Sequence, residues 1–296
     1  MASSRDIKRR IESVRGTRKI TRAMELVASA RLRRAQEAIE SLRPYASSMR
    51  RLMSQAARQS GNLSGLPLLE ERETISRAAV ITVTGDRGLA GAFNVNVLRA
   101  GFGIADELAE AGAEEVVYVA VGKKGAGTLR FRGKTVAKSF EGLSSSPTFA
   151  DAAQVAEYVV NEFIEGRVDR VMVVYNAFKS IMEQKVTVEQ LLPVDRSRVV
   201  EEGEEEQEPS RSLAIFEPDP EELLAQLLPT YIDTTIYRAM LESAAAEHAA
   251  RRTAMRNATD NAGSLIDDLT LAMNRARQSA ITQEILEVVA GADALS

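Results

Sequence analysis

Residues 28–56 read ASARLRRAQEAIESLRPYASSMRRLMSQA. Within them Ala28, Leu32, Ala35, Ile39, Leu42, Ala46, Met49, Met53 and Ala56 step alternately by four and three, which keeps one narrow apolar seam on one side of a helix, as a coiled coil requires. Pro44 falls inside the run and marks a place for a kink. Upstream, Ile7, Ile11 and Val14 form a similar stripe, with Gly16 as a soft point between the two. The spacing predicts a helical arm from about Ser4 to Arg58, ended by Gly61, Gly65 and Pro67.

A second arm closes the chain. From Thr230 to Ala290 no proline occurs, and Met255, Ala258, Ala262, Leu265, Leu269, Ala272, Ala276 and Ser279 step alternately by three and four. Extended backward, this seam meets His248 and Arg251, so its upper part carries polar positions. At 1.5 Å per residue the last arm would run roughly 90 Å and the first about 80 Å, whereas a compact chain of this length is about 50 Å across. Such helices either break into shorter pieces or pair with each other and project from a central body as an antiparallel coiled coil.

Composition narrows the chemistry. The 296 residues carry 38 Lys and Arg against 42 Asp and Glu, a formal charge of −4. With no cysteine, disulfide scaffolds, thiolate metal sites, Cys nucleophiles and thiol switches are excluded. His248 is the only histidine, so a multi-histidine zinc site cannot be built, and a Ser-His-Asp triad could form only there. No run of about 18 apolar residues predicts a membrane span, and the polar start from Met1 to Arg10 lacks the apolar core of a signal peptide.

Aromatic residues and charge divide the chain in the same places. All 14 Phe and Tyr lie between Tyr45 and Tyr237, and 13 of them between Phe93 and Tyr237, which predicts one compact central domain between two differently built arms. Residues 5–58 hold 15 Lys or Arg against five acids, whereas Glu201 to Glu208 holds six Glu. In the middle, Ala78–Thr84, Glu115–Val121 and Arg170–Tyr175 read as buried strands, separated by helical patterns over Asn96–Ala111 and Phe149–Glu165. Alternating strand and helix argues for a small α/β domain with a largely parallel sheet. Further strands are expected at Lys185–Leu191 and Leu213–Phe216, with a solvated, mobile acidic loop over 201–209 between them.

Two glycine clusters follow strands and could cradle phosphate. GDRGLAG places Gly85, Gly88 and Gly91 at G-x-x-G-x-x-G, not the dinucleotide spacing, and Gly122-Lys123-Lys124-Gly125 contains no Gly-Lys-Ser/Thr. Both are read as glycines that turn the chain from strand into helix.

The same residues carry a resemblance. The chain resembles the gamma subunit of the bacterial F-type ATP synthase over nearly its whole length. The resemblance rests on Ile7–Ala35 with the core Lys19–Glu25 (KITRAME), on Thr84–Gly91 (TGDRGLAG), and on Glu247–Ala262 followed by Asn274–Gln283 (NRARQSAITQ) and Glu284–Ala290. It implies an antiparallel two-helix coiled coil of the N- and C-termini with an inserted Rossmann-like α/β domain. The corresponding divisions are 1–60, 76–217 and 219–290.

The resemblance further implies a non-catalytic rotor shaft without a cofactor. One copy would stand inside a hexamer of alternating alpha and beta subunits, with its foot on the membrane ring of c subunits and the epsilon subunit beside it. That is a peripheral position on the cytoplasmic face of the bacterial plasma membrane. Arg18, Lys19, Arg22, Arg31, Arg33 and Arg34 would face acidic loops of the beta subunits, and Met24 would pass close to them. Arg277, Gln278 and Thr282 match residues that hydrogen-bond to a loop of the hexamer, and Ile285, Leu286, Val288 and Val289 would fill its apolar bearing. His248 is read as a packing or hydrogen-bonding residue. The acidic run Glu201–Glu208 has no counterpart in the family pattern.

Two other readings compete. An α/β enzyme with a coiled-coil dimerisation arm would bind nucleotide or substrate in its central domain. A nucleic-acid-binding coiled coil would use the basic first arm, but that arm holds a single aromatic residue, Tyr45, for stacking and the chain is acidic overall.

Overall fold

The computed structural model describes residues 4–60, 65–72, 74–195 and 219–293. Expected features at Gly61, Glu201–Glu208 and Leu213–Phe216 lie outside the described residues. Helix α1 spans Ser4–Gln59. A 3-10 turn at Pro67–Leu69 leads to β1 (Arg77–Val83), α2 (Phe93–Glu110), β2 (Glu115–Val121), α3 (Lys123–Phe131), β3 (Val136–Phe140), α4 (Phe149–Ile164), β4 (Arg170–Phe178) and β5 (Gln184–Leu192). Helix α5 closes the chain over Pro220–Asp293, 74 residues in all.

Two compact units result, one formed by residues 1–29 with 251–296, the other by residues 30–250. The larger contains a five-stranded sheet of order β3-β2-β1-β4-β5. The first four strands are parallel and β5 pairs antiparallel with β4, so the sheet is mixed with a parallel centre. Side-chain alternation sorts its residues between two faces. Ala79, Ile81, Val83, Val117, Val119, Val121, Val171, Val173 and Tyr175 face a core with α4, with Met49, Met53 and Ala56 of α1, and with Leu224, Leu228, Ile232 and Ile236 of α5. Ala78, Val80, Tyr118, Ala120 and Val174 face α2 and α3. Along α1 in this unit, Leu32 packs with Ala245 and Ala249 of α5, with Ala35 and Ile39 alongside.

Three elements differ from the reading of the sequence. Helix α5 begins ten residues before Thr230 and passes through Pro229. Leu224, Leu228, Ile232 and Ile236 recur every four residues in the core and hold this turn, while Pro229 sits on the exposed side, where water can serve the carbonyl it leaves without a donor. Pro44 is likewise exposed, and α1 continues through it and through Gly16. The edge strand β3 (VAKSF) and the glycine-bearing α3 (KKGAGTLRF) were not anticipated. One is too polar and the other too short and glycine-rich to carry a clear period.

In the smaller unit the buried positions of α1 are Ile11, Thr21, Glu25 and Ala28. Those of α5 are Arg251, Met255, Thr259, Ala262 and Ile266. Met255 and Ala262 match the expected seam, and Leu269 and Ala276 are half-buried on it. Ala258, Leu265, Ala272 and Ser279 do not lie on it: Thr259 and Ile266 are buried in place of the first two, and Met273 is half-buried where Ala272 is exposed. The two possible phases of a 3/4 stripe share every second position, and apolarity favoured Ala258. The structure takes Thr259, whose hydroxyl lies 2.8 Å from the Met255 carbonyl and 2.7 Å from the Thr21 hydroxyl.

Replacing Ile232, fully buried between sheet and helices, by Ala is expected to cost about 2–5 kcal/mol, read as a lower urea midpoint of the full chain.

Candidate interaction surface

Helix α1 presents a basic face whose members differ in their electrostatic state. Arg22 pairs with Glu25 at 2.8 Å and Arg33 with Glu37 at 3.0 Å. Arg18, Lys19, Arg31 and Arg34 are exposed and have no ion-pair partner among the described residues. Met24 is half-buried. Arg31 and Arg34 border a cavity of about 270 Å³ with Ala35, Ala38, Ser145, Ser146, Pro147, Leu241 and Ala244. Two guanidinium groups and two serine hydroxyls around an apolar floor suit a carboxylate carried on a short apolar segment.

The closing turns of α5 are of another kind. Arg277, Gln278 and Thr282 are exposed, and Gln278 and Thr282 line an open groove with Arg275, Ser279, Gln283 and Leu286. Ile281, Ile285, Leu286, Val288 and Val289 are between 49% and 73% exposed. Five large apolar side chains in nine residues form a patch that a monomeric protein seldom leaves in water.

The strand-to-helix turn after β1 resolves the question of the glycine clusters. Asp86 accepts hydrogen bonds from the backbone N–H groups of Lys123 (2.9 Å), Gly142 (2.9 Å) and Ser144 (3.0 Å). Its own N–H donates to the Ser144 hydroxyl at 2.8 Å. Lys123 is the first residue of α3, so the chain's own carboxylate occupies the helix terminus where a phosphate would bind. Burial acts to raise the Asp86 carboxyl, and the N–H donors together with the Ser144 hydroxyl outweigh it and hold it below the usual carboxylate range.

Gly122 sits at φ +100°, and a Cβ there would overlap the Thr84 carbonyl. The adjoining Gly125 N–H donates to the Thr84 hydroxyl at 3.0 Å, an approach that a side chain would block. Gly122 and Gly125 thus let the start of α3 close against Thr84. Among the described residues there is also no cluster suited to a metal ion.

Helix α5 covers the same end of the sheet. The Glu247 carboxylate lies against Gly85, Ser243 donates to the Val83 carbonyl at 3.3 Å, and the His248 Nε2 is 3.0 Å from the Ser145 carbonyl oxygen. Thr84–Gly91 and Glu247–Ala262, two separate motifs in the sequence, thus meet through Gly85 and Glu247. Farther along, Arg238 of α5 donates to Glu189 at 2.8 Å and to the Tyr175 hydroxyl at 3.2 Å, while that hydroxyl donates to Glu189 at 2.8 Å. Burial raises the Tyr175 hydroxyl above its ordinary range, and the two carboxylates Glu242 and Glu189 add to the shift while Arg238 opposes it. Asp86, Ser144, Glu189 and Arg238 were not singled out from the sequence. Only the placement of Asp86 directly after a strand and its glycine offered a signal.

Asp86→Ala is expected to destabilise the full chain by about 2–3 kcal/mol, because three N–H donors lose a charged acceptor. A carboxyl held below its unfolded value of about 3.9 stabilises the fold above that pH and loses the contribution as pH falls through its folded value. Urea midpoints of the parent should therefore fall more steeply below about pH 4 than those of Asp86→Ala. Calorimetric titration of the full chain with ATP is expected to show no stoichiometric binding.

A family profile described as ATP synthase matches residues 3–295. The ATP synthase gamma chain of Desulforamulus reducens is 45% identical over 295 residues, with both chains fully covered. That of Saccharopolyspora erythraea is 43% identical, covering 100% of this chain and 98% of its own. Among solved structures, a chain of the Euglena gracilis mitochondrial ATP synthase (OSCP/F1/c-ring, rotational state 3) matches with a TM-score of 0.66 at 19% identity, covering 99% of this chain and 94% of that one. A chain of the Tetrahymena thermophila mitochondrial ATP synthase central stalk/c-ring matches with a TM-score of 0.59 at 24% identity, covering 81% and 99%. These two likenesses carry the fold, and the full-length sequence relationships carry the assignment: the chain belongs to the ATP synthase family, among its gamma chains.

Proposed function

We propose that this chain is the central rotor shaft of an F-type ATP synthase, transmitting torque between a proton-driven ring of c subunits and a catalytic hexamer of alpha and beta subunits, and that it performs no catalysis itself. The observation that carries this reading is the apolar end of α5, where Ile281, Ile285, Leu286, Val288 and Val289 stand exposed. Nothing among the described residues covers them, so a surrounding bearing accounts for the patch.

In this reading the terminal stretches 1–60 and 219–290 form an antiparallel coiled coil, and 76–217 is the inserted Rossmann-like domain. Support comes from paired contacts in which numbers rise along α1 as they fall along α5, with Thr21 on Thr259 and Arg18 beside Gly263. One copy stands inside three alpha/beta pairs, with the epsilon subunit beside it, peripheral on the cytoplasmic face of the plasma membrane. No described helix is long and apolar enough to cross a membrane.

The mechanism needs asymmetry rather than a reactive site. A single shaft presents a different face to each of three catalytic interfaces and biases each toward a different conformation. Moving a two-state site from 1:99 to 99:1 takes about 5.5 kcal/mol of differential contact, within reach of a few charge and packing contacts. Arg18, Lys19, Arg22, Met24, Arg31, Arg33 and Arg34 supply these on α1, with Arg31 and Arg34 best placed because they border a cavity and no ion pair among the described residues holds them. Arg277, Gln278 and Thr282 supply polar contacts on α5, while Ile285, Leu286 and Val289 fill the bearing.

The direct test is copurification: one copy of this chain is expected with three alpha and three beta subunits, and recovery without them would overturn the reading. Arg31→Glu with Arg34→Glu is expected to lower proton pumping per ATP hydrolysed while leaving the helical circular dichroism intact. Truncation after Ala280 is expected to loosen retention in the hexamer while changing the urea midpoint of the free chain little, because the described side chains among those removed are exposed.

A further inference from the structure

The seam positions of the smaller unit form matched layers. Thr21 meets Thr259, so positions on α1 and α5 whose numbers sum to about 280 lie opposite one another. Arg18 beside Gly263 keeps the same alignment. It sets Val14 opposite Ile266, Ile11 opposite Leu269 and Ile7 opposite Met273, all buried or half-buried. A seam of this kind is nearly degenerate, because a slip of seven residues still places apolar side chains on apolar or small ones. The Thr layer loses its match: Thr21 would then face Ile266 or Arg252, and Thr259 would face Val14 or Ala28.

The hydroxyl geometry ties the pair to one alignment. Thr21 and Thr259 are 9% and 8% exposed, with their oxygens 2.7 Å apart. Each also reaches a carbonyl of its own helix, that of Arg18 at 3.1 Å and that of Met255 at 2.8 Å. One hydroxyl therefore donates across to the other, which donates to its own helix, and no buried hydrogen is left over. A slipped register loses the hydrogen bond between the two hydroxyls, leaving each with only the carbonyl of its own helix and a hydrocarbon or charged neighbour across the seam.

We propose that Thr21 and Thr259 are positioning residues that hold the longitudinal register of α1 against α5 within the smaller unit. This rests on the paired-helix reading given above. A slip of one heptad would move the end of α5 by about 10 Å along α1, and with it the apolar patch and the polar contacts of Arg277, Gln278 and Thr282.

The absence of native cysteine makes the register directly measurable in the full chain. Val14→Cys with Ile266→Cys reports the native alignment, and Val14→Cys with Met273→Cys reports a one-heptad slip. Under mild oxidation in the parent chain, the first pair should close at least about tenfold faster than the second. In the Thr21→Val, Thr259→Val background that ratio should fall several-fold, and Thr21→Ser with Thr259→Ser should restore it. A change in thermal stability alone would not move the ratio. An unchanged ratio in the valine background, or equal closure of both pairs in the parent, would overturn the register role. Failure of the first pair to close in the parent would overturn the paired-helix reading and this proposal with it.

Discussion

One helix passes through three solvent regimes, and the rest of the structure follows from how each is met. From Ala239 to Ala249 α5 is buried on nearly every side, with only Glu242 partly open to water. From Arg251 to Ala276 it keeps a single stripe, and from Arg277 onward every described side chain is exposed. A helix buried all round needs neighbours on all sides, and here the sheet, the loop after β3 and α1 provide them. A striped helix needs one partner. An exposed apolar end calls for a partner beyond the described residues.

The α/β body departs from the usual employment of its architecture. In parallel sheets the carboxyl ends of the strands, where backbone N–H groups converge, are the customary place for a ligand. Here Asp86 brings a carboxylate of the chain itself to those N–H groups, and Ser243, Glu247 and His248 of α5 cover the remainder. The partly buried Arg238–Glu189–Tyr175 group fastens the same helix to strands β4 and β5. The N–H groups that could have met a phosphate instead bind the segments after β1, β2 and β3 to one another, and the separate contacts of α5 hold it on the sheet, which suits a part that must carry load without deforming.

Polar residues within the helical seams have a similar logic. Leu, Ile and Ala layers supply burial, whereas Thr21 and Thr259 add a hydrogen bond between the two helices in the alignment observed. Glu25, buried beside this layer, is held by Arg22 on its own helix. Burial of such groups is tolerated because each finds a partner at hydrogen-bonding distance.

Much was legible without coordinates. The two long helices, four of the five strands and the parallel centre of the sheet followed from periodicity and β-branched runs, because these features are local and repeat. The family followed from three motifs in order. Local patterns could not show that Thr259 rather than Ala258 lies in the seam, since apolarity ranks them the wrong way and only the Thr21 hydroxyl reverses the order. Nor could they show that α5 runs through Pro229, which depends on the core that Leu224, Leu228, Ile232 and Ile236 enter, or that VAKSF forms an edge strand, which depends on pairing with β2. The sequence by itself determined the periods, the absence of thiol and multi-histidine chemistry, and the kinship. Tertiary structure alone decided which residues satisfy one another across distant segments, because a hydrogen bond between Asp86 and Gly142, or between Thr21 and Thr259, exists only once the chain has brought them together.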